Sequence, residues 1–228
     1  MVWTRDGQGD YYLAKVKSGW EYFTTDESNQ NDIDIANIFR VDFAKIPIDM
    51  VSGKVIACFR ASRTIQAISE LKNLEYAKYL WNKFSKINHY DNINFDEFEK
   101  CENIFTMLDD KETEDIVFLY LQDLGWYVVP NSRQSDTFCF EYFLVNKNTK
   151  EKARVQVKTG KTELNQQNYT KFDEKIFLFQ SNDLYKGINT DNVVAIRSSD
   201  ILDFMKKSLD WLPSNFKTKF DMISLGKS

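Results

Sequence analysis

Apolar and polar residues alternate at residues 33–41, in the first third of the chain. Residues 11–16 and 20–23 are short strand-like runs that follow turn-prone residues, and residues 55–59 form a short apolar run after the turn-prone pair at 52–53. A period of two is typical of half-buried strands separated by turns. We therefore expect a small antiparallel β-barrel-like domain over residues 1–69.

The pattern changes to a helical period in the next segment. Apolar residues recur there at three- and four-residue steps and mark one face of a helix. They are Leu71, Leu74, Ala77, Trp81, Phe84 and Ile87. We expect residues 70–110 to form a helical connector between two domains.

Strands and helices alternate in the remaining part of the chain. Residues 113–124 predict a helix ended by Gly125, and short apolar or alternating runs follow at 126–129, 138–146, 153–158, 176–179 and 193–196. A last helix is expected near residues 200–208. The order predicts an α/β domain with a mixed central sheet over residues 111–228, so that the whole chain is a two-domain α+β protein.

Composition restricts the possible chemistry. Of the 228 residues, 43% are hydrophobic and three are cysteines, which are far apart in the sequence, so we expect a sizeable core in a reducing cytoplasm, with no disulfide scaffold and no membrane span. The chain has one histidine, His89, in a polar stretch that we interpret as exposed. Sites that require two histidines are therefore excluded, and any catalysis must come from carboxylates, lysines and a hard metal ion.

One pair of segments brings polar residues together. The turn-prone residues 146–152 predict a hairpin between the flanking strands. If it is symmetric about Asn148 and Thr149, the numbers of paired residues sum to 297. The expected pairs are Glu141 with Gln156, Cys139 with Lys158, Phe140 with Val157 and Tyr142 with Val155. The apolar side chains then share one face, and Glu141, Gln156 and Lys158 share the other.

Such a cluster suits hydrolysis of a phosphodiester bond. Mg²⁺ in this chemistry is held by one or two carboxylates and several waters. Glu141 could supply a carboxylate and Gln156 an amide oxygen. Lys158 lies two residues further on the same face, where an ammonium could orient the attacking water and stabilise developing charge.

The same residues carry a resemblance to a known family. Helix, Gly-aromatic, strand, acidic residue and then Val-Gln-Val-Lys-Thr-Gly at 155–160 resembles the Mrr-type branch of the PD-(D/E)xK restriction endonuclease-like superfamily, over roughly residues 112–200. The resemblance implies a Mg²⁺- or Mn²⁺-dependent DNA endonuclease that acts in restriction or defence against foreign or modified DNA. It adds Glu114, on the preceding helix, to the metal ligands Glu141 and Gln156. The family usually has aspartate where Glu141 stands, and Asp136 is a competing carboxylate.

Other residues are candidates for contact with nucleic acid. Lys161 and Lys171 follow the Gln-x-Lys strand, and Arg60 and Arg63 follow an apolar run, so all four could contact phosphates. The N-terminal region faintly resembles PUA/EVE-like barrels, which implies reading of a flipped or modified base. The candidate residues for that role are Trp3, Trp20 and Tyr22.

Two other functions remain open at this stage. The net charge of −4 and the missing aspartate are compatible with a catalytically degenerate, nuclease-fold DNA-binding module. An aromatic content of 15% is compatible with a protein–protein regulatory subunit of a defence system. A homodimer is also compatible with the sequence.

Overall fold

The computed structural model of the chain describes residues 1–23, 26, 37–59, 65–87, 89–96, 104–129, 132 and 140–226. Contacts between Cα atoms divide the chain into two compact units. The N-terminal unit comprises Met1–Val51 and Val55–Glu99, and the C-terminal unit comprises Ser52–Lys54 and Lys100–Ser228. Five helices and a five-stranded mixed sheet are present in the described residues, which confirms a mixed α+β class.

The N-terminal unit is built on a three-stranded antiparallel sheet. Its strands are β1 (Val2–Arg5), β2 (Tyr11–Val16) and β5 (Val41–Ile46), in the order β1-β2-β5. Leu13 of the central strand faces Ala44, and both are buried. The short strands β3 (Glu21–Tyr22) and β4 (Asn37–Ile38) form a separate antiparallel pair.

These strands do not close into the barrel that the sequence pattern predicts. Within the described residues the sheet ends at β1 and β5, and its outer face is open, with Phe43 67% exposed. The expected strand at 33–41 is also divided, because Asn37–Ile38 and Val41–Ile46 pair with different partners, while residues 33–36 lie outside the described residues.

The apolar run at 55–59 is a helix, not the expected strand. Helix α1 spans Gly53–Cys58, and Val55 is its buried residue. A short apolar run without alternation fits either a strand or one helical turn, so its sequence could not separate the two.

Helix α2 (Leu71–Phe84) confirms the helical prediction, and its buried face includes Ala77 and Trp81 of the predicted stripe. Tyr76 and Leu80, outside that stripe, are also buried, whereas Leu71 and Leu74 at its N-terminal end are 58% and 40% exposed. The phenol of Tyr76 donates to the backbone oxygen of Met50 at 2.8 Å. Contacts therefore place α2 within the N-terminal unit.

The C-terminal unit contains the five-stranded sheet. Its strands are β6 (Trp126–Val128), β7 (Tyr142–Asn146), β8 (Lys152–Lys158), β10 (Lys175–Gln180) and β12 (Val193–Ile196), in the order β12-β10-β8-β7-β6. Strands β8, β10 and β12 are parallel, and β6 and β7 run antiparallel to their neighbours. Strands β9 (Leu164–Asn165) and β11 (Tyr185–Lys186) form a small parallel pair.

Helix α3 (Asp110–Asp123) precedes the sheet and has strong end signals. Asp109 and Glu112 form a capping box, in which each side chain accepts from the other residue's backbone N–H at 2.8–2.9 Å. Gly125 has φ +86° just after the helix, a conformation that glycine adopts without strain. These signals fix where the helix starts and where the chain turns into β6.

Apolar residues cover both faces of the sheet. Phe179 packs on Phe105 on one face, and Tyr142 packs on Phe118 of α3. A second cluster on the other face contains Phe140, Leu164, Ile176, Leu178 and Val193. A polar side chain in the middle of these strands is therefore removed from water and needs hydrogen-bond partners.

Two helices complete the C-terminal unit. They are α4 (Ser198–Ser208) and α5 (Ser214–Gly226). None of the helices in the described part of the chain combines the length and apolar character that a membrane span requires.

A buried ion pair joins α5 to the start of α3. The ammonium of Lys219 lies 2.5 and 2.6 Å from the two carboxylate oxygens of Glu112, and Asn215 donates to the same carboxylate at 2.9 Å. All three side chains are buried. Glu112 therefore serves both the helix cap and the attachment of α5.

We expect Lys219→Met to lower the free energy of unfolding by about 3–5 kcal/mol, because it leaves the Glu112 carboxylate buried without its cation. Denaturant unfolding followed by circular dichroism measures the change. The matched control is Lys217→Met, an exposed lysine on the same helix, which should change stability by less than about 0.5 kcal/mol. Equal stabilities of the two variants would show that the buried pair is not important for folding.

Candidate functional site

The hairpin of β7 and β8 has the register that the sequence predicts. Tyr142 pairs with Val155, Phe143 with Arg154 and Leu144 with Ala153, so that paired numbers sum to 297. Asn146 caps the turn by accepting from the backbone N–H groups of Asn148 and Thr149. The turn residues and the period-two pattern thus specify the same alignment.

The register ends at Glu141, where the backbone bends. The N–H of Glu141 donates to Val155 O at 2.8 Å, the oxygen of the residue that pairs with Tyr142. Phe140 consequently does not face Val157 as expected. It packs with Leu178, and the guanidinium of Arg154 lies 5.2 Å from its ring centroid. Cys139, the expected partner of Lys158, lies outside the described residues.

The bend places Glu141 beside Gln156 and Lys158 of β8. The Nε2 of Gln156 donates to Glu141 Oε1 at 2.8 Å and to Val157 O at 3.2 Å. The Nζ of Lys158 lies 3.9 Å from the same Glu141 oxygen. Gln156 is only 2% exposed, whereas the Lys158 side chain is 41% exposed. The predicted grouping of Glu141, Gln156 and Lys158 is therefore present. Its amide is buried, and its ammonium group belongs to a partly exposed side chain.

Helix α3 adds two charged residues to this group. Glu114 forms an ion pair with Lys111, whose Nζ is 2.8 Å from Glu114 Oε2. The phenol of Tyr142 donates to the backbone oxygen of Glu114 at 2.9 Å, which ties the helix to the hairpin. We call Lys111, Glu114, Glu141, Gln156 and Lys158 the Glu141 cluster.

The two carboxylates of the cluster, Glu114 and Glu141, interact electrostatically. Burial raises the pKa of Glu141, and the negative charge of Glu114 raises it further. The positive charges of Lys158 and Lys111 and the hydrogen bond from Gln156 lower it in part. Two acids that repel each other in a partly buried place form a site that a divalent cation would stabilise.

The fit of these residues to a metal ion is partial. Among the described residues, no group of three histidine, cysteine or acidic side chains is arranged to hold a metal. Glu114 and Glu141 provide two carboxylates, and Mg²⁺ is often held by one or two together with waters. Gln156 does not fit the expected role of ligand in this conformation. Its nitrogen faces two acceptors, a carboxylate and a carbonyl, where an amide oxygen would be repelled.

The chain just after Lys158 is held by residues that the sequence pattern did not reveal. Gly160 has φ +62°, and its oxygen accepts from Gln180 Nε2 at 2.8 Å and Asn182 Nδ2 at 2.7 Å. The hydroxyl of Thr159 donates to Asp110 on α3. Gln180 of β10 is paired with Lys158 of β8. In the sequence, the only sign of this role is that a polar residue ends the apolar run 176–179.

The other nucleic-acid candidates are more scattered. Lys161 and Lys171 are exposed, and Lys171 Nζ lies 5.5 Å from the centroid of the Phe172 ring. Arg60, Arg63 and the alternative carboxylate Asp136 lie outside the described residues.

The aromatic candidates for base reading lie in the N-terminal unit. Trp3 lines a cavity, whereas Trp20 and Tyr22 are 61% and 63% exposed near the β3–β4 pair and do not line it. The Nε1 of Trp20 donates to Asn37 Oδ1 at 3.0 Å. The three aromatics therefore do not share a pocket, and reading of a base stays a prediction.

We expect Glu114→Gln to lower the pKa of Glu141, because it removes the repelling charge that acts together with burial. Titration of the Glu141 carboxyl carbon by ¹³C NMR measures this change. Asp115→Asn, at the next position of α3, is the control and should have a smaller effect. An unchanged titration in Glu114→Gln would show that the two acids do not interact.

The sign of the pH effect follows from the same shift. Since folding raises the pKa of Glu141, its protonated form is favoured in the folded state, and its contribution to stability is lost as the pH rises through that pKa. A metal ion that bound at this carboxylate would require its ionised form and would therefore bind more strongly over the same pH range.

Comparison of the chain with protein-family models matches no family, and comparisons with curated proteins and with solved structures return no match. The geometry of the Glu141 cluster is therefore the basis on which a function can be proposed.

Proposed function

We propose that the chain is a metal-dependent DNA endonuclease that hydrolyses phosphodiester bonds in the cytoplasm, in restriction or defence against foreign or modified DNA. The observation that carries the proposal is the contact of Gln156 and Lys158 with one oxygen of Glu141, next to a helix that presents Glu114. The resemblance to Mrr-type PD-(D/E)xK nucleases implies the same residues, although Gln156 is oriented here as a hydrogen-bond donor and not as a metal ligand.

The carboxylates would hold the metal. Glu141 and Glu114 can each offer an oxygen to Mg²⁺ or Mn²⁺, and the Gln156 hydrogen bond keeps Glu141 oriented. When bound, such an ion polarises the phosphate and lowers the pKa of a coordinated water. The raised pKa of Glu141 shows that its ionised form is costly without additional positive charge.

Lys158 would act on the substrate. Its ammonium is near Glu141, yet much of its side chain is in contact with solvent. It can therefore orient an attacking water and stabilise negative charge that develops on the phosphate. The hydrogen bonds that Gly160 accepts from Gln180 and Asn182 hold the chain just after Lys158.

DNA contact requires a local positive surface, since the net charge of the chain is −4. The exposed Lys161 and Lys171 follow β8 in the sequence and remain the candidates for phosphate contact. Such contacts position the backbone of the DNA and do not select a base sequence.

The second candidate function is a DNA-binding module with a degenerate site. The orientation of Gln156 favours it, because both amide hydrogens are donated within the chain and only two carboxylates remain for a metal. The test that separates the two functions is metal-dependent cleavage.

We expect Lys158→Ala and Glu141→Ala each to reduce Mg²⁺-dependent cleavage of plasmid DNA by roughly 10²–10³-fold, because each removes charge stabilisation or a metal ligand. The matched control is Lys152→Ala, an exposed lysine at the opposite end of β8, which should cleave like the wild type. Circular dichroism checks the fold of each variant.

Two outcomes would contradict the nuclease. Equal cleavage by all four proteins would place the activity elsewhere. No cleavage by the wild type with Mg²⁺ or Mn²⁺, together with DNA binding that weakens as salt increases, would identify the degenerate module.

Gln156→Glu distinguishes a hydrogen-bond donor from a metal ligand. We expect the variant to raise the pKa of Glu141, because it removes two N–H donors and adds a carboxylate, so that metal-dependent cleavage begins at a higher pH than in the wild type. The pH–rate profile measures this. An unchanged profile with a lower metal requirement would instead show that the side chain at position 156 coordinates the metal through oxygen.

A further inference from the structure

Lys111 has an unfavourable position for a lysine with respect to its own helix. It is the second residue of α3, where the free backbone N–H groups carry partial positive charge and favour acids over cations. It also precedes its partner Glu114 by three residues, which is the less favourable order of charges along a helix. The stability of α3 therefore does not account for an ammonium at this position.

The charge of Lys111 acts on both carboxylates of the Glu141 cluster. Its Nζ lies 2.8 Å from Glu114 Oε2. Burial raises the pKa of Glu141 and the charge of Glu114 raises it further, whereas the charges of Lys158 and then Lys111 lower it. An ammonium that is attracted to both acids reduces the repulsion between them. A divalent cation at the same two acids would have this effect too and would repel the ammonium.

A second acid gives Lys111 an alternative partner. Asp115 Oδ1 lies 3.8 Å from Lys111 Nζ, and Asp115 is one residue beyond Glu114 on the same face of α3. The side chain of Asp115 is 42% exposed, whereas that of Glu114 is 22% exposed. The ammonium can therefore turn from the more buried acid to the more exposed one by side-chain rotation, without movement of the helix.

For the metal site of the proposed nuclease function, on which this inference rests, we propose that Lys111 competes with a divalent cation for the Glu141 cluster. Lys111 pairs with Glu114 at low metal concentration and with Asp115 once the cation is bound. The two repelling acids are thereby partly neutralised at all times. Lys111 also sets the metal concentration that the site requires, because the cation must displace its ammonium.

Binding of Mn²⁺ without DNA tests this competition directly. Free Mn²⁺ has an electron paramagnetic resonance signal that decreases when the ion binds to protein. In titrations of the full chain, Lys111→Met should bind Mn²⁺ at least roughly ten-fold more tightly than the wild type, because it removes a positive charge from the site. The matched control is Lys152→Met, an exposed lysine at the opposite end of β8, which should bind Mn²⁺ like the wild type.

A second substitution separates displacement of Lys111 from general attraction of the cation. Asp115→Asn should weaken Mn²⁺ binding by roughly three-fold or more, since Lys111 loses its alternative partner and stays on Glu114. In a Lys111→Met background, the same substitution should change the affinity by less than about two-fold, because no ammonium remains to be redirected. An equal loss in both backgrounds would overturn the role of Asp115 as the alternative partner.

Titration of Glu141 gives a readout that requires neither metal nor cleavage. Lys111→Met should raise the pKa of Glu141, because the variant removes one of the charges that lower it. ¹³C NMR of the Glu141 carboxyl carbon measures this change in the absence of divalent ions. An unchanged titration would show that the ammonium does not act on Glu141 and would overturn the proposal.

The results for Mn²⁺ binding and for cleavage distinguish this competition from the nuclease itself. Equal Mn²⁺ affinities of the wild type and Lys111→Met would overturn the competition, while metal-dependent cleavage by the wild type would still support the nuclease. Tighter Mn²⁺ binding by Lys111→Met in a chain that cleaves no DNA would support the competition and contradict the nuclease. Absence of Mn²⁺ binding in both proteins would overturn the metal site and both proposals with it.

Discussion

Tyr142 connects the two elements on which the Glu141 cluster depends. It is fully buried, it pairs with Val155 in the hairpin, and its ring packs edge-on against Phe118 of α3. Its hydroxyl donates to the backbone oxygen of Glu114. The next residue along the chain towards the N-terminus is Glu141. Tyr142 therefore joins the helix and the strand that carry the two interacting carboxylates, and the charge of Glu114 raises the pKa of Glu141 across this junction.

Buried polar residues in this sheet have two different roles. Gln180 is completely buried, and its amide oxygen accepts from the N–H groups of Asn182 and Leu184, so it completes a turn. Gln156 is equally well buried, but it donates to the half-buried carboxylate of Glu141. Burial of a side-chain amide therefore does not by itself indicate function, because every buried amide needs hydrogen-bond partners. The distinguishing feature of Gln156 is a charged partner beside an accessible lysine.

The sequence predicts those parts of the site that follow from local rules. The hairpin register could be derived because turn residues and alternation agree, and Gly125 marked the end of α3, whereas its start at Asp110 lies before the predicted residue 113. The position of Phe140 could not be derived from the sequence, because the alternation rule fails where the backbone bends at Glu141. Tertiary neighbours determine which way the Gln156 amide points and bring Lys111 into an ion pair beside Glu141. A pattern of residue types does not encode these neighbours. The helix at Gly53–Cys58 was missed for a related reason, because a short apolar run has no period to measure.

Two ammonium groups partly neutralise the carboxylates of the Glu141 cluster. Lys111 pairs with Glu114 and Lys158 lies near Glu141, so that each carboxylate has one ammonium close to it. A divalent ion held by both acids would compete with Lys111 for Glu114, because the oxygens that bind the ammonium are those a metal needs. Lys111 also lies 3.8 Å from Asp115 and can turn towards that residue when it leaves Glu114. Lys158, at 3.9 Å from its acid, makes a weaker contact and is the ammonium that is easier to redirect towards a phosphate. If the proposed nuclease function is correct, Lys111 would neutralise Glu114 until a metal binds, and Lys158 would reach the substrate.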